Sequence, residues 1–188
     1  MKIVTIPHSA LRQEAEPVTH VDKKLLRFIS DLEKTLANKK NPQGVGLAAP
    51  QVDKNWSLFT TLLEDEQGKN TQRIFINPTI VDASDELILG PTEDETSLEG
   101  CLSMPGIYGP VPRHSWTTFR FQQVKGNELI DQETTFRDFA SRVMQHELDH
   151  LHGILFTDHA IKHGLPIYKE TKITKKLEEV DPALFEMI

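Results

Sequence analysis

Residues 145–150 read Gln-His-Glu-Leu-Asp-His, and the two histidines four positions apart are the strongest chemical signal in the chain. On a helix, His146 and His150 stack on one face about one turn apart. Neutral imidazoles at that spacing suit a transition metal, and Glu147 beside them suits a general acid or base. The pattern proposes metal-assisted hydrolysis. It is short, however, and the chain holds 8 histidines, so a chance match has a probability on the order of a few per cent. The neighbouring residues raise the odds. Thr135 with Asp138 reads as a capping box, Phe139, Val143, His146 and His150 fall on one face, and Gly153 supplies a stop. The motif is thus predicted near the C-terminal end of a helix running from Phe136 to His152.

A catalytic metal commonly takes three protein ligands and keeps one position open, so two histidines leave a vacancy. Cys101, the one cysteine, sits in Leu98-Glu-Gly-Cys-Leu-Ser-Met-Pro105. Taken alone it has three readings: a small buried hydrophobe, a nucleophile paired with a histidine, or the third ligand. A third segment, Gly44-Val-Gly-Leu-Ala-Ala-Pro-Gln51, has two glycines but neither the ending nor the spacing of a phosphate-binding loop. It reads either as a tight turn packed on the core or as backbone lying against a substrate, with the Gln51 amide as a donor.

Other elements must position these groups. Ile3–Ile6 is expected as a short strand ended by Pro7. An apolar stripe over residues 22–37, with Asp22 as N-cap, predicts a helix. Strands are expected over Trp56–Leu63, Arg73–Asn77 (cut by Pro78 and resumed at Thr79–Val81) and, briefly, Glu86–Leu89 within an acidic exposed loop at 82–97. Trp116–Val124 should pair with Glu128–Thr135 across Gly126-Asn127, a hairpin signal. The reading is an α+β fold with antiparallel sheets packed around a central metal-binding helix. Residues 1–165 form a single catalytic domain, and 166–188 a Lys- and Glu-rich tail with a short helix around Ile173–Val180.

With 188 residues, 38% hydrophobic and 26% charged, the chain has the makings of a globular core. A net charge of −7 argues against DNA binding through phosphate contacts. A lone cysteine forms no internal disulfide, and no apolar run approaches the length of a membrane span. A cytoplasmic protein, without membrane or DNA partners, is the expectation.

Together and in order, Gly44–Gln51, Glu99-Gly-Cys-Leu-Ser103 and Gln145–His150 resemble the three signature motifs of the peptide deformylase family. Leu11-Arg12 and Val111-Pro-Arg113 resemble it too, and the likeness spans roughly residues 3–155. It implies that Cys101, His146 and His150 bind one divalent metal, with water in the fourth position. That metal would be Fe2+ as usual in the family, with Zn2+, Ni2+ or Co2+ able to replace it. It implies Glu147 as general acid–base, with the Gln51 amide and the Leu102 N–H as oxyanion donors. Val45, Phe139 and Val143 would line a methionine slot, and the Gly46 backbone would pair with the substrate. Glu99 and Arg113 would form an ion pair bracing the cysteine loop, and Asp149 would act outside the ligand set. Arg142 is left open between this slot and solvent.

The implied substrates are N-formylmethionyl nascent peptides, giving formate and a free amine, and some relatives contact the ribosome through the C-terminal end. Tyr108 departs from members with an arginine there, and the acidic 82–97 loop also departs from the pattern. Two rivals remain. A His-Glu-x-x-His metallopeptidase would take its third ligand downstream of the helix, whereas Cys101 lies upstream. A structural metal protein would close its site with a fourth ligand.

Overall fold

The computed structural model describes residues 1–40, 43–65, 67–91, 95–171 and 174–185. Helix α1 (Lys23–Ala37) begins where expected, with the Asp22 side chain accepting from the Leu25 N–H at 2.7 Å. The strands β1 (Gly46–Ala48), β2 (Leu58–Glu64) and β3 (Asn70–Ala83) come next. After them come β4 (Leu87–Ile88), β5 (Leu98–Cys101), β6 (Met104–Pro110) and β7 (Arg113–His114). The hairpin of β8 (Trp116–Lys125) and β9 (Glu128–Arg137) leads directly into α2 (Asp138–Leu151). The chain closes with α3 (Phe156–Lys162), β10 (Ile167–Glu170) and β11 (Leu177–Val180).

Two antiparallel sheets embrace α2. One has the strand order β1-β2-β3-β8-β9, the other β11-β10-β6-β5, and β4 pairs with β7 as a small third sheet. Met144, Leu148 and Leu151 on one face of α2 pack against Phe59, Phe75, Phe119 and Phe121 of the first sheet. The same sheet buries the apolar stripe of α1, Leu25, Leu32 and Leu36, against Leu47, Leu58 and Ile76. A third cluster joins Met104, Ile107 and Val111 to Leu155, Phe156, Ala160 and Ile167. The expected α+β arrangement around a central helix is what forms.

Four local expectations fail for physical reasons. Ile3–Ile6 is not a strand, although Val4 and Ile6 donate to the carbonyls of Gln51 and Ser103 and so anchor the N-terminus beside both other motifs. Pro78 does not cut β3: the strand passes it through a bulge between Ile76 and Thr79, with Asn77 at φ 49, which spares the missing N–H a ladder position. The Thr135/Asp138 capping box does not form either. Thr135 is spent in β9, where its hydroxyl meets that of Thr118 at 2.8 Å, and Arg137 takes the N-cap position without a side-chain bond. Finally, the short helix expected in the tail is instead strand β11 over 177–180, which pairs with β10, which in turn pairs with β6; residues 172 and 173 lie outside the described ones.

Candidate metal centre

Two edge strands frame the site: β1 ends the first sheet, and β5 ends the second. Helix α2 lies beside them and presents His146 and His150 from the face opposite its phenylalanine-packed side. The β5–β6 connection brings Cys101 to the same point, and its Sγ lies 3.2 Å from His150 Nε2. One ligand atom from each of Cys101, His146 and His150 lies within 4.8 Å of the others. The sulfur from the strand-rich half and the two rings from the late helix therefore converge.

The donor set fits a transition metal. His146 Nδ1 lies 3.1 Å from Glu99 Oε2, so Nδ1–H donates and the Nε2 lone pair is left for a cation. His150 differs: its Nδ1 is buried and has no hydrogen-bond partner among the described residues, and its Nε2 faces Cys101 Sγ. Burial pushes the Cys101 thiol up, but His150 and His146 outweigh it and hold the group well below its ordinary value, as a thiolate. Burial pushes His146 down, and its bonds to Cys101 and Glu99 lift it well above the usual imidazole range.

Behind the ligands runs a buried charge network. Arg113, 3% exposed, donates through Nε and Nη2 to both Glu99 oxygens at 3.0 and 2.9 Å, and through Nη1 to Asp149 Oδ2 at 2.6 Å. Asp149 also meets His159 Nε2 of α3 at 2.9 Å. The chain His159–Asp149–Arg113–Glu99–His146 thus ties α3 to the first histidine. Burial opposes ionisation of both carboxyls, yet Arg113 and the histidines hold Glu99 and Asp149 below their ordinary values. Arg113 is held charged, its guanidinium raised by the same carboxylates against burial.

Glu147 sits apart from this network, and its Oε2 is buried without a partner among the described residues. Burial is the main reason its carboxyl is pushed up to about 7, with His146 and His150 pulling the other way. Gln51 projects from the turn after β1. Its Oε1 accepts from the Ala48 N–H at 2.8 Å, which turns Nε2 toward Cys101 Sγ at 3.4 Å and Ser103 Oγ at 3.3 Å. The amide is therefore oriented before any substrate arrives. Leu102, between Cys101 and Ser103, packs on the α1 cluster and also lines the cavity at the site.

A cavity of about 420 Å3 opens onto this cluster. Val45, Gly46, Gln51, Leu102, Phe139, Val143, His146 and Glu147 all line it, so every residue expected to touch substrate is present at one cavity. Phe139 is 61% exposed and stands at its mouth, whereas Val143 is buried.

The geometry has counterparts among known proteins. A family model described as polypeptide deformylase matches residues 1–164. The chain belongs to the polypeptide deformylase family. It is 35% identical to peptide deformylase 1 of Bacillus cereus over 174 residues, covering 92% of this chain and 97% of that protein. It is 36% identical to peptide deformylase 1 of Bacillus subtilis over 162 residues, covering 86% and 91%. Among solved structures, the peptide deformylase of Plasmodium falciparum superposes with a TM-score of 0.70 at 34% identity, covering 84% and 85% of the two chains. A mutant of peptide deformylase 1B of Arabidopsis thaliana gives 0.71 at 30% identity, covering 85% and 81%. As a deformylase the chain is a hydrolase that removes the N-terminal formyl group from nascent peptides. The family depends on a metal, and the Cys/His/His cluster is the group here able to hold one. Among the described residues no helix is long and apolar enough to cross a membrane.

Sequence reasoning left one member of the site open, Arg142, and missed another, His159. Arg142 is buried, with Nη1 donating to the Ile88 carbonyl at 3.0 Å, Nη2 to the Val111 carbonyl at 2.6 Å, and Glu99 Oε1 3.4 Å away. Its position four residues before His146 was the available signal, since that spacing sets it on the ligand face. His159 gave none: its partner Asp149 is defined only by the docking of α3.

Proposed function

We propose that Cys101, His146 and His150 hold one divalent metal, Fe2+, and that Glu147, Gln51 and Leu102 carry the hydrolysis of the formyl amide. The observation that carries this reading is a buried carboxyl oxygen with no partner among the described residues, Glu147 Oε2, beside three converging ligand atoms. A buried carboxyl with an unpaired oxygen costs stability, so its retention points to use in the reaction. When bound, the metal acts as a Lewis acid that polarises the formyl oxygen and makes water a nucleophile near neutral pH.

The residues supply the rest. Glu147 accepts a proton from the attacking water and passes it to the amine nitrogen as the C–N bond breaks, giving formate and a free N-terminus. Gln51 Nε2–H and the Leu102 N–H donate to the oxygen on which negative charge develops. The peptide lies extended along the free edge of β1, with Gly46 pairing to its main chain and the first side chain in the slot of Val45, Phe139 and Val143. An unbranched thioether such as methionine fills such a slot well. Residues 1–165 carry this activity. Residues 166–188, whose β10–β11 hairpin extends the second sheet, are the candidate contact to the ribosome, and a cytoplasmic site of action follows from the nascent-chain substrate.

Formate release from formyl-Met-Ala-Ser, set against cleavage of an internally quenched peptide, tests this reading. Formate from the first supports it, and cleavage of the second alone ends it in favour of a peptidase. Metal analysis after anaerobic purification tests the iron assignment, and co-sedimentation with ribosomes tests the tail.

A further inference from the structure

The two groups read as oxyanion donors come from different sheets. Gln51 follows β1 of the first sheet, and Leu102 lies in the turn between β5 and β6 of the second. Among the described residues the two sheets share no strand ladder. The N-terminal segment crosses the seam between them. The Val4 N–H donates to the Gln51 carbonyl at 2.9 Å, and the Ile6 N–H donates to the Ser103 carbonyl at 3.1 Å. Gln51 and Ser103 are both buried, and Gln51 Nε2 closes the ring on Ser103 Oγ at 3.3 Å.

The side chains of the segment divide in the same way. Ile3 packs on the α1 cluster, together with Ala49 and Leu102, whereas Val4 and Ile6 pack on the cluster of Met104, Ile107 and Phe156. Alternation of this kind, with N–H groups two residues apart leaving one edge, belongs to extended chain. Each of the two bonds goes to a different turn, so the segment builds no ladder of its own; it joins one motif to the other. Such a join matters for catalysis. A donor aimed at a developing charge acts fully only when it is held within about 0.5 Å of its place. Two donors carried by separate sheets therefore need a fixed separation.

We propose that residues 3–6 are a strap that sets the separation of Gln51 and Leu102, with Val4 and Ile6 as positioning residues for the hydrolysis through their main-chain N–H groups. The proposal rests on the oxyanion reading under Proposed function. Its test is a double-mutant cycle on formyl-Met-Ala-Ser, with metal content measured on the same samples. Val4→Pro removes the N–H that reaches Gln51. It should lower kcat about 10-fold, less than the loss of a whole donor, with KM little changed. In a Gln51→Ala background the donor that the strap aims is gone, and the same substitution should lower kcat by less than about 2-fold. Metal per chain should stay as in wild type throughout. An equal loss of kcat in both backgrounds overturns the proposal, and so does a loss of metal in step with activity. If Val4→Pro does not fold, a glycine inserted between Val4 and Thr5 decides. Close to the terminus the chain tolerates insertion, and the extra residue turns the Val4 and Ile6 N–H groups to opposite edges. It should show the same dependence on Gln51. Gln51→Ala with normal kcat contradicts the oxyanion reading itself, whereas a slowed Gln51→Ala beside a Val4→Pro of normal kcat contradicts only the strap.

Discussion

The Glu147 carboxyl occupies the space in which a side chain at Gly46 would begin. A Cβ built at residue 46 would fall 2.6 Å from Glu147 Cδ, closer than real Cβ contacts come. Gly46 is therefore required by the acid–base residue as well as by the strand edge. Gly46→Ala should push Glu147 out of register and lower kcat on the order of 10²-fold. The fold should survive, because β1 is a three-residue edge strand. Steady-state formate release with a circular dichroism melt checks this; an alanine variant with normal kcat would contradict it.

Gln51 is oriented by its own backbone turn, so its loss should affect rate more than binding. Gln51→Ala should lower kcat by ~10²–10³, with KM changing far less. A variant with raised KM and intact kcat would move Gln51 from oxyanion donor to substrate contact.

Arg113 balances two largely covered carboxylates, Glu99 and Asp149. Removing it leaves both unpaired. Arg113→Met should destabilise the protein by about 3–5 kcal/mol in urea. It should also weaken metal binding by about 10–100-fold, since Glu99 then no longer fixes His146. Retained metal affinity would mean that packing alone orients that ring.

The same pair dictates a pH dependence. Glu99 and Asp149 titrate below their ordinary values in the folded protein, burial being outweighed by Arg113. A depressed folded value contributes stability that is complete above the unfolded values of about 4 and is lost as pH falls through the folded ones. The urea midpoint should therefore fall steadily below about pH 5. Arg113→Met should show a flatter profile. Equal slopes in the two proteins would contradict the assignment.

Much of this site was legible in the sequence because it depends on local spacing. His146 and His150 share a helix face at any register of that helix, and the Asp22 cap and the Gly126-Asn127 turn act within a few residues of themselves. What escaped depends on tertiary docking. The bulge that lets β3 pass Pro78 is set by its pairing with β8. Residues 177–180 are polar enough to read as a helix, and become a strand only because β10 offers an edge. Thr135 was read as a cap, but the β8–β9 ladder claims it first. Arg142 carried a positional signal, yet its partners are main-chain carbonyls, which no side-chain pattern announces.

The convergence of one sulfur and two imidazoles on a single cation is tested most directly by metal content. Wild type, Cys101→Ala and Glu147→Gln should be purified anaerobically, and metal and formate release measured on the same samples. The account predicts a single metal ion per chain in wild type and in Glu147→Gln, turnover in wild type only, and metal lost from Cys101→Ala. Full metal in Cys101→Ala, or near-normal turnover in Glu147→Gln, would contradict it.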